Sequence, residues 1–206
     1  MPTNAFDGIL NINKPSGITT MDVVRNVKRI TNQRKVGHAG TLDPFASGVV
    51  PICLGRATKM VEYLFDTPKQ YRAVIHFGVE TDTYDSSGKI IREIDFHDNF
   101  KESDIRQVLK SFVGNIKQVP PMYSALKYNG ERLYDLARAG VQIDRTPRSV
   151  TVYNIEIIDW KSPHLTLDVK CGRGFYVRSL AYDSVSYTHL RAHETLRYLV
   201  CRLLLE

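Results

Sequence analysis

Residues 36–48 read Val-Gly-His-Ala-Gly-Thr-Leu-Asp-Pro-Phe-Ala-Ser-Gly and run straight into the apolar segment Val49 to Leu54. Three glycines, a proline and an Asp-Pro step within thirteen residues exclude a regular helix. They predict a shaped loop that feeds a buried strand. Asp43 is the only carboxylate of this loop, and His38 stands five residues upstream. A carboxylate on an irregular loop, anchored by a strand, can be presented as a nucleophile or general base from a rigid edge. An Asp-Pro step can equally do no more than open a turn.

The 206 residues are enough for one domain with a substantial core, and 43% hydrophobic with 24% charged residues is the balance of an ordinary globular protein. A formal charge of +6 favours a polyanionic partner. Cys53, Cys171 and Cys201 are odd in number, widely spaced and without a C-x-x-C pair, which argues against a disulfide framework or zinc site and fits a reducing cytoplasm. Cys53 and Cys171 lie in apolar runs and are expected as buried structural thiols. The first residues carry no basic stretch followed by an apolar one, and no apolar run is long enough to span a bilayer, so neither export nor membrane insertion is expected.

Along the chain, residues 8–13 read as a short strand that ends in the turn Lys14-Pro15-Ser16-Gly17. From Thr19 or Thr20 as N-cap, Val23, Val24, Val27 and Ile30 recur at helical spacing, with Arg25, Lys28 and Arg29 mostly on the other face. A second short helix is expected to turn Met60, Val61 and Leu64 inward. Residues 71–77 alternate, placing Tyr71, Ala73, Ile75 and Phe77 on one face of a strand. Residues 78–85 read as a polar loop, 89–94 as a strand, and Ile105, Val108, Leu109 and Phe112 as a helix closed by Gly114. The two prolines within 118–127 predict extended chain, followed by a short helix through Leu133, Leu136 and Ala137 that stops at Gly140. Residues 150–158 and 165–171 are long strands, and Gly172-Arg173-Gly174 opens a last helix. Strands and helices intersperse without a regular βαβ repeat, so the expected fold is α+β: a mixed, mostly antiparallel sheet with flanking helices, in one domain.

His38, His76, His97 and His164 are scattered without metal-ligand spacing, so no metal site is expected. There is no glycine loop of the nucleotide-binding types and no Gly-x-Ser-x-Gly. What remains is Asp43 with Tyr71, Tyr176 and Arg178, each at the edge of an apolar strand or a glycine turn. Taken singly these are sheet aromatics and a surface charge. Together they suit chemistry on a nucleotide, in which a ring stacks on a nucleobase lifted out of an RNA fold, an arginine pairs with the carboxylate, and the carboxylate attacks the nucleotide.

The stretch Gly37 to Pro51 resembles the signature of the bacterial tRNA pseudouridine synthase B (TruB) family. The similarity extends to Lys14-Pro15-Ser16-Gly17, Lys69-Gln70-Tyr71, residues 78–85 and 118–127, Gly130 to Tyr134, and Gly174 to Leu180. This resemblance implies the pseudouridine synthase fold and isomerisation of a uridine in the T arm of tRNA, at tRNA position 55, without cofactor or metal. It implies a monomer in the cytoplasm. It makes Asp43 the catalytic aspartate, Tyr71 the tyrosine that stacks on the target base, Arg178 the arginine that ion-pairs with the aspartate, and Tyr176 a further active-site aromatic. His38 is implied at the disrupted T loop and Lys14 beside the cleft. A carboxylate in such a reaction can act on ribose C1′ or add to uracil C6, and both routes stay open.

After Asp183 the resemblance stops. Residues 1–183 are expected as the synthase catalytic domain, and 184–206 as a tail foreign to the family, from a frameshift, an engineered junction or a truncated gene, with no RNA-binding PUA domain. The tail holds three Arg and two Glu, so the basic balance does not depend on it. A C-terminally truncated synthase keeps a second reading open, a protein that binds and refolds tRNA without turnover. A hydrolase acting on another glycoside is a third, for which no second catalytic carboxylate is evident.

Overall fold

The computed structural model describes residues 6–93, 101–191 and 201–205, with side chains of the last helix as far as Ser184. His97 and the tail side chains beyond Ser184 lie outside the described residues. The chain groups into two compact units, Met1–Thr67 with Leu205–Glu206, and Pro68–Leu204.

In the first unit, β1 (Gly8–Lys14), β2 (Val36–His38) and β3 (Gly48–Leu54) form an antiparallel sheet in the order β1-β3-β2. Helix α1 (Thr20–Thr31) opens on a capping box in which Thr19 and Asp22 exchange side-chain and backbone hydrogen bonds. Its Val23, Val24 and Val27 pack with Val50, Ile52 and Leu54 of β3 in one buried cluster. Ile30, expected on the same stripe, is 78% exposed. Ile30 lies in the last turn of α1, beyond Val27, where the buried cluster against β3 ends. A 3₁₀ turn (Gly55–Met60) precedes α2 (Val61–Asp66). Val61 and Leu64 are half-buried, but Met60, also expected inward, is exposed. The change from about three to 3.6 residues per turn at this junction takes Met60 out of phase with the α2 stripe.

The second unit is built on a five-stranded sheet, β12-β4-β11-β10-β7, comprising β4 (Lys69–Phe77), β7 (Gly114–Gln118), β10 (Arg148–Lys161), β11 (His164–Cys171) and β12 (Cys201–Leu205). The β4–β11, β11–β10 and β10–β7 pairings are antiparallel. Ala73, Ile75 and Phe77 alternate inward as expected, and Ala73 and Ile75 face Leu167 and Leu165 across the ladder. Tyr71 shares their face, opposite Val169, and is half-buried. Cys53 and Cys171 are buried free thiols, as expected. Burial pushes both upward, Cys171 to about 12, which keeps them protonated and unreactive.

Helix α3 (Glu102–Lys110) buries Ile105 and Leu109 and packs against β10 and α5 (Val177–Arg191). The 78–85 stretch, expected as a polar loop, contains strand β5 (Val79–Thr81), paired with β6 (Ile90–Glu93). Its Thr81 and Asp85 are buried, and the Thr81 hydroxyl donates to the Asp85 carbonyl at 2.7 Å. Polar residues that satisfy one another inside the fold look like surface in a sequence. Residues 122–125 bend where extended chain is expected, and β8 (Lys127–Tyr128) and β9 (Glu131–Arg132) then form a hairpin before α4 (Leu133–Arg138). The fold is α+β with mostly antiparallel sheets. Among the described residues no helix is long and apolar enough to cross a membrane.

Candidate active site

In the first unit, Asp43 sits half-buried at the head of a turn in which the Ala46 amide donates to the Asp43 carbonyl at 3.1 Å, with Pro44 at the second position, where its fixed φ suits the turn. The backbone on both sides of the carboxylate is held by partners from the β1–α1 segment and the first turn of α1. Thr20, buried in the first turn of α1, accepts from the Leu42 amide at 3.1 Å and donates to the Leu42 carbonyl at 3.3 Å. The Gly17 amide donates to the Pro44 carbonyl at 2.8 Å, and the Ser16 hydroxyl to the Phe45 carbonyl at 2.8 Å. Gly17 has φ +91°, which an L side chain would resist.

Lys14 completes this frame from inside. It is fully buried at the end of β1, and its ammonium donates to the carbonyls of Pro15 (2.9 Å), Ile18 (2.9 Å) and Pro44 (3.2 Å). An ammonium has three donors, and all three go to backbone. Burial pushes Lys14 below the ordinary lysine value, and the Asp43 carboxylate pulls it part of the way back. His38, the last residue of β2, is half-buried with Nδ1 2.7 Å from the Gly40 carbonyl. A carbonyl only accepts, so Nδ1 carries a proton and donates it.

In the second unit, Tyr176 and Arg178 stand where the glycine turn enters α5. The Gln118 side chain holds Tyr176 by both backbone groups, accepting from its amide at 2.8 Å and donating to its carbonyl at 3.0 Å. The Ser179 hydroxyl donates to the Val119 carbonyl at 2.7 Å. The Arg178 guanidinium, 5% exposed, donates to the carbonyls of Tyr123 (2.9 Å) and Thr83 (3.3 Å) and lies 3.5 Å from the Asp85 carboxylate. Asp85 is buried as well, and its Oδ1 accepts from the Thr83 hydroxyl and the Ser87 amide at 2.8 and 2.9 Å. The two Gln118 bonds tie down the backbone of Tyr176, whose side chain is half-buried.

The frame residues Asp85 and Gln118 carry no role in the sequence reading, and Thr20 only that of a candidate N-cap, although the runs 78–85 and 118–127 are part of the resemblance. The signal that could have found them is the cost of burying polar groups: Thr20, Asp85 and Gln118 are all under 5% exposed and each must have a partner. Among the described residues no three His, Cys, Asp or Glu side chains gather as a metal site would need.

A family model described as TruB family pseudouridylate synthase (N terminal domain) matches residues 28–177. A tRNA pseudouridine synthase B of Dehalococcoides mccartyi (strain CBDB1) is 53% identical over 181 residues, which are 86% of this chain and 59% of that protein. One of Clostridium kluyveri is 50% identical over 178 residues, 86% of this chain and 61% of that protein. The chain thus spans about three-fifths of the length of these relatives. Among solved structures, the crystal structure of a Cbf5-Nop10-Gar1 complex matches with a TM-score of 0.66 and 32% identity, over 94% of this chain and 47% of that one. An H/ACA RNP bound to a substrate RNA containing 2′-deoxyuridine matches with a TM-score of 0.63 and 27% identity, over 95% and 45%.

Proposed function

We propose, because this chain belongs to the TruB family of pseudouridylate synthases, that it is a tRNA pseudouridine synthase acting on the uridine at position 55 in the T arm. The observation that carries the reading is the frame around Asp43, in which Lys14, Ser16, Gly17 and Thr20 hold the backbone on both sides of one carboxylate. Such rigidity suits a group that must meet a reacting atom in one geometry.

In this reading Asp43 is the nucleophile. The bond from uracil N1 to ribose C1′ breaks, the base turns, a bond forms from C5 to C1′, and the proton on C5 leaves while N1 gains one. Asp43 serves either by attack on C1′ or by addition to C6. Tyr71 stacks on the flipped base, and its stacking offsets part of the few kcal/mol that unstacking costs. Tyr176 and Arg178 complete the substrate-binding set, and His38 meets the opened T loop. Lys14, with its donors committed to carbonyls, acts through the Asp43 turn. No cofactor is required, because the reaction is an internal exchange of one bond for another. The protein works as a monomer in the cytoplasm. Residues 1–183 are the catalytic portion and 184–206 are foreign to it.

The test is tritium release from unmodified tRNA labelled at uracil C5. Release by this chain that disappears in Asp43→Asn is expected. Salt-sensitive tRNA binding without release would replace the synthase by a binding-only protein, and binding that ignores salt would remove both RNA readings.

A further inference from the structure

The turn that carries Asp85 grips α5 at a second point that the reaction does not explain. Tyr84, the residue before Asp85, adopts φ +61°, a left-handed conformation that a bulky L side chain resists. Its ring stacks on Tyr182 of α5, with centroids 4.2 Å apart and planes 24° from parallel. Tyr182 lies four residues after Arg178, on the same face of the helix. Three consecutive residues therefore reach α5. Thr83 accepts from Arg178 through its carbonyl, Tyr84 stacks one turn further on, and Asp85 pairs with Arg178 again.

Local preference alone would put glycine or asparagine at this position. A tyrosine held there against its own backbone preference is retained by something its ring contacts, and the ring contacts Tyr182. Arg178 is only as well placed as the turn that supplies two of its partners.

We propose that Tyr84 and Tyr182 form a stacked clamp that fixes the 81–88 turn on α5 and thereby positions the Arg178 guanidinium. Both are positioning residues, and the proposal deepens, and in its kinetic arm rests on, the synthase reading above. The clamp sits outside the hydrogen-bonding frame of Arg178 and acts by limiting how far Asp85 and the Thr83 carbonyl can move.

Tyr84→Gly is the discriminating variant. It removes the ring and at the same time relieves the backbone, so an incidental stack predicts an unharmed turn. The clamp predicts the opposite. Hydrogen exchange of the folded chain should accelerate about tenfold at the Ser87 and Gly88 amides, which donate to Asp85, in both Tyr84→Gly and Tyr182→Ala, the size expected for losing one aromatic pair. Single-turnover tritium release at saturating tRNA should slow by a similar factor. Tyr84→Phe, which keeps the ring, should recover most of both losses.

Wild-type exchange at residues 83–88 in Tyr84→Gly and Tyr182→Ala overturns the clamp. Faster exchange with an unchanged release rate overturns its positioning role and leaves a merely structural contact. If the unaltered chain releases no tritium, the synthase reading falls. Exchange then decides the clamp by itself, because that readout needs no turnover.

Discussion

Lys14→Met isolates the contribution of the buried ammonium, since methionine keeps the length of the apolar stem and deletes the charge. Three hydrogen bonds disappear, to the Pro15, Ile18 and Pro44 carbonyls. Their losses are unequal. The Pro44 carbonyl keeps the Gly17 amide at 2.8 Å, and Pro15 is exposed, so its carbonyl can turn to water. The Ile18 carbonyl, on a half-buried residue, is the group left short. One unsatisfied buried carbonyl costs about 1–3 kcal/mol, and no longer burying an ammonium offsets part of that. A net loss of about 1–2 kcal/mol in a chain of this size lowers Tm by roughly 2–8 °C. The Thr20 and Gly17 contacts remain, so the Asp43 turn should loosen rather than collapse, and tritium release should slow by about tenfold with KM for tRNA unchanged. Melting by circular dichroism and single-turnover release check the two halves. A wild-type Tm, or a raised KM with an intact release rate, would refute the reasoning. The second result would put Lys14 on the substrate instead.

Asp85→Asn takes a counter-charge from the buried Arg178 and should lower stability by up to about 3 kcal/mol, read as a lower urea midpoint. Burial raises the Asp183 carboxyl to about 6 from an ordinary 3.8, so the folded chain holds that proton more tightly than the unfolded one between these values. Stability should therefore fall as pH climbs from about 4 to 6, by at most about 3 kcal/mol, and the decline should flatten in Asp183→Asn when melting is followed against pH. Cys53 and Cys171 should resist Ellman's reagent in the folded chain and react on unfolding, as peptide mapping of the labelled protein would show.

What the sequence determined by itself is whatever repeats at a local period or recurs as a motif. Val23, Val24 and Val27 are spaced for one helix face, and Ala73, Ile75 and Phe77 for one sheet face. Those spacings reflect backbone geometry that each segment carries within itself. The same holds for the Asp43 loop, whose glycines and Asp-Pro step exclude helix wherever the loop is placed, and for the ordered motifs that identify the family. Ile30 and Met60 mark the limit of this reasoning. Their spacing is apolar, yet what packs against each turn of helix decides that they face solvent. The tertiary structure alone decided the frame around the site. Lys14 meets Pro44 across 30 residues, Gln118 meets Tyr176 across 58, and Arg178 meets Thr83 across 95. No local pattern encodes such partners, because each exists only when packing excludes water from a polar group and leaves one distant atom within hydrogen-bond reach.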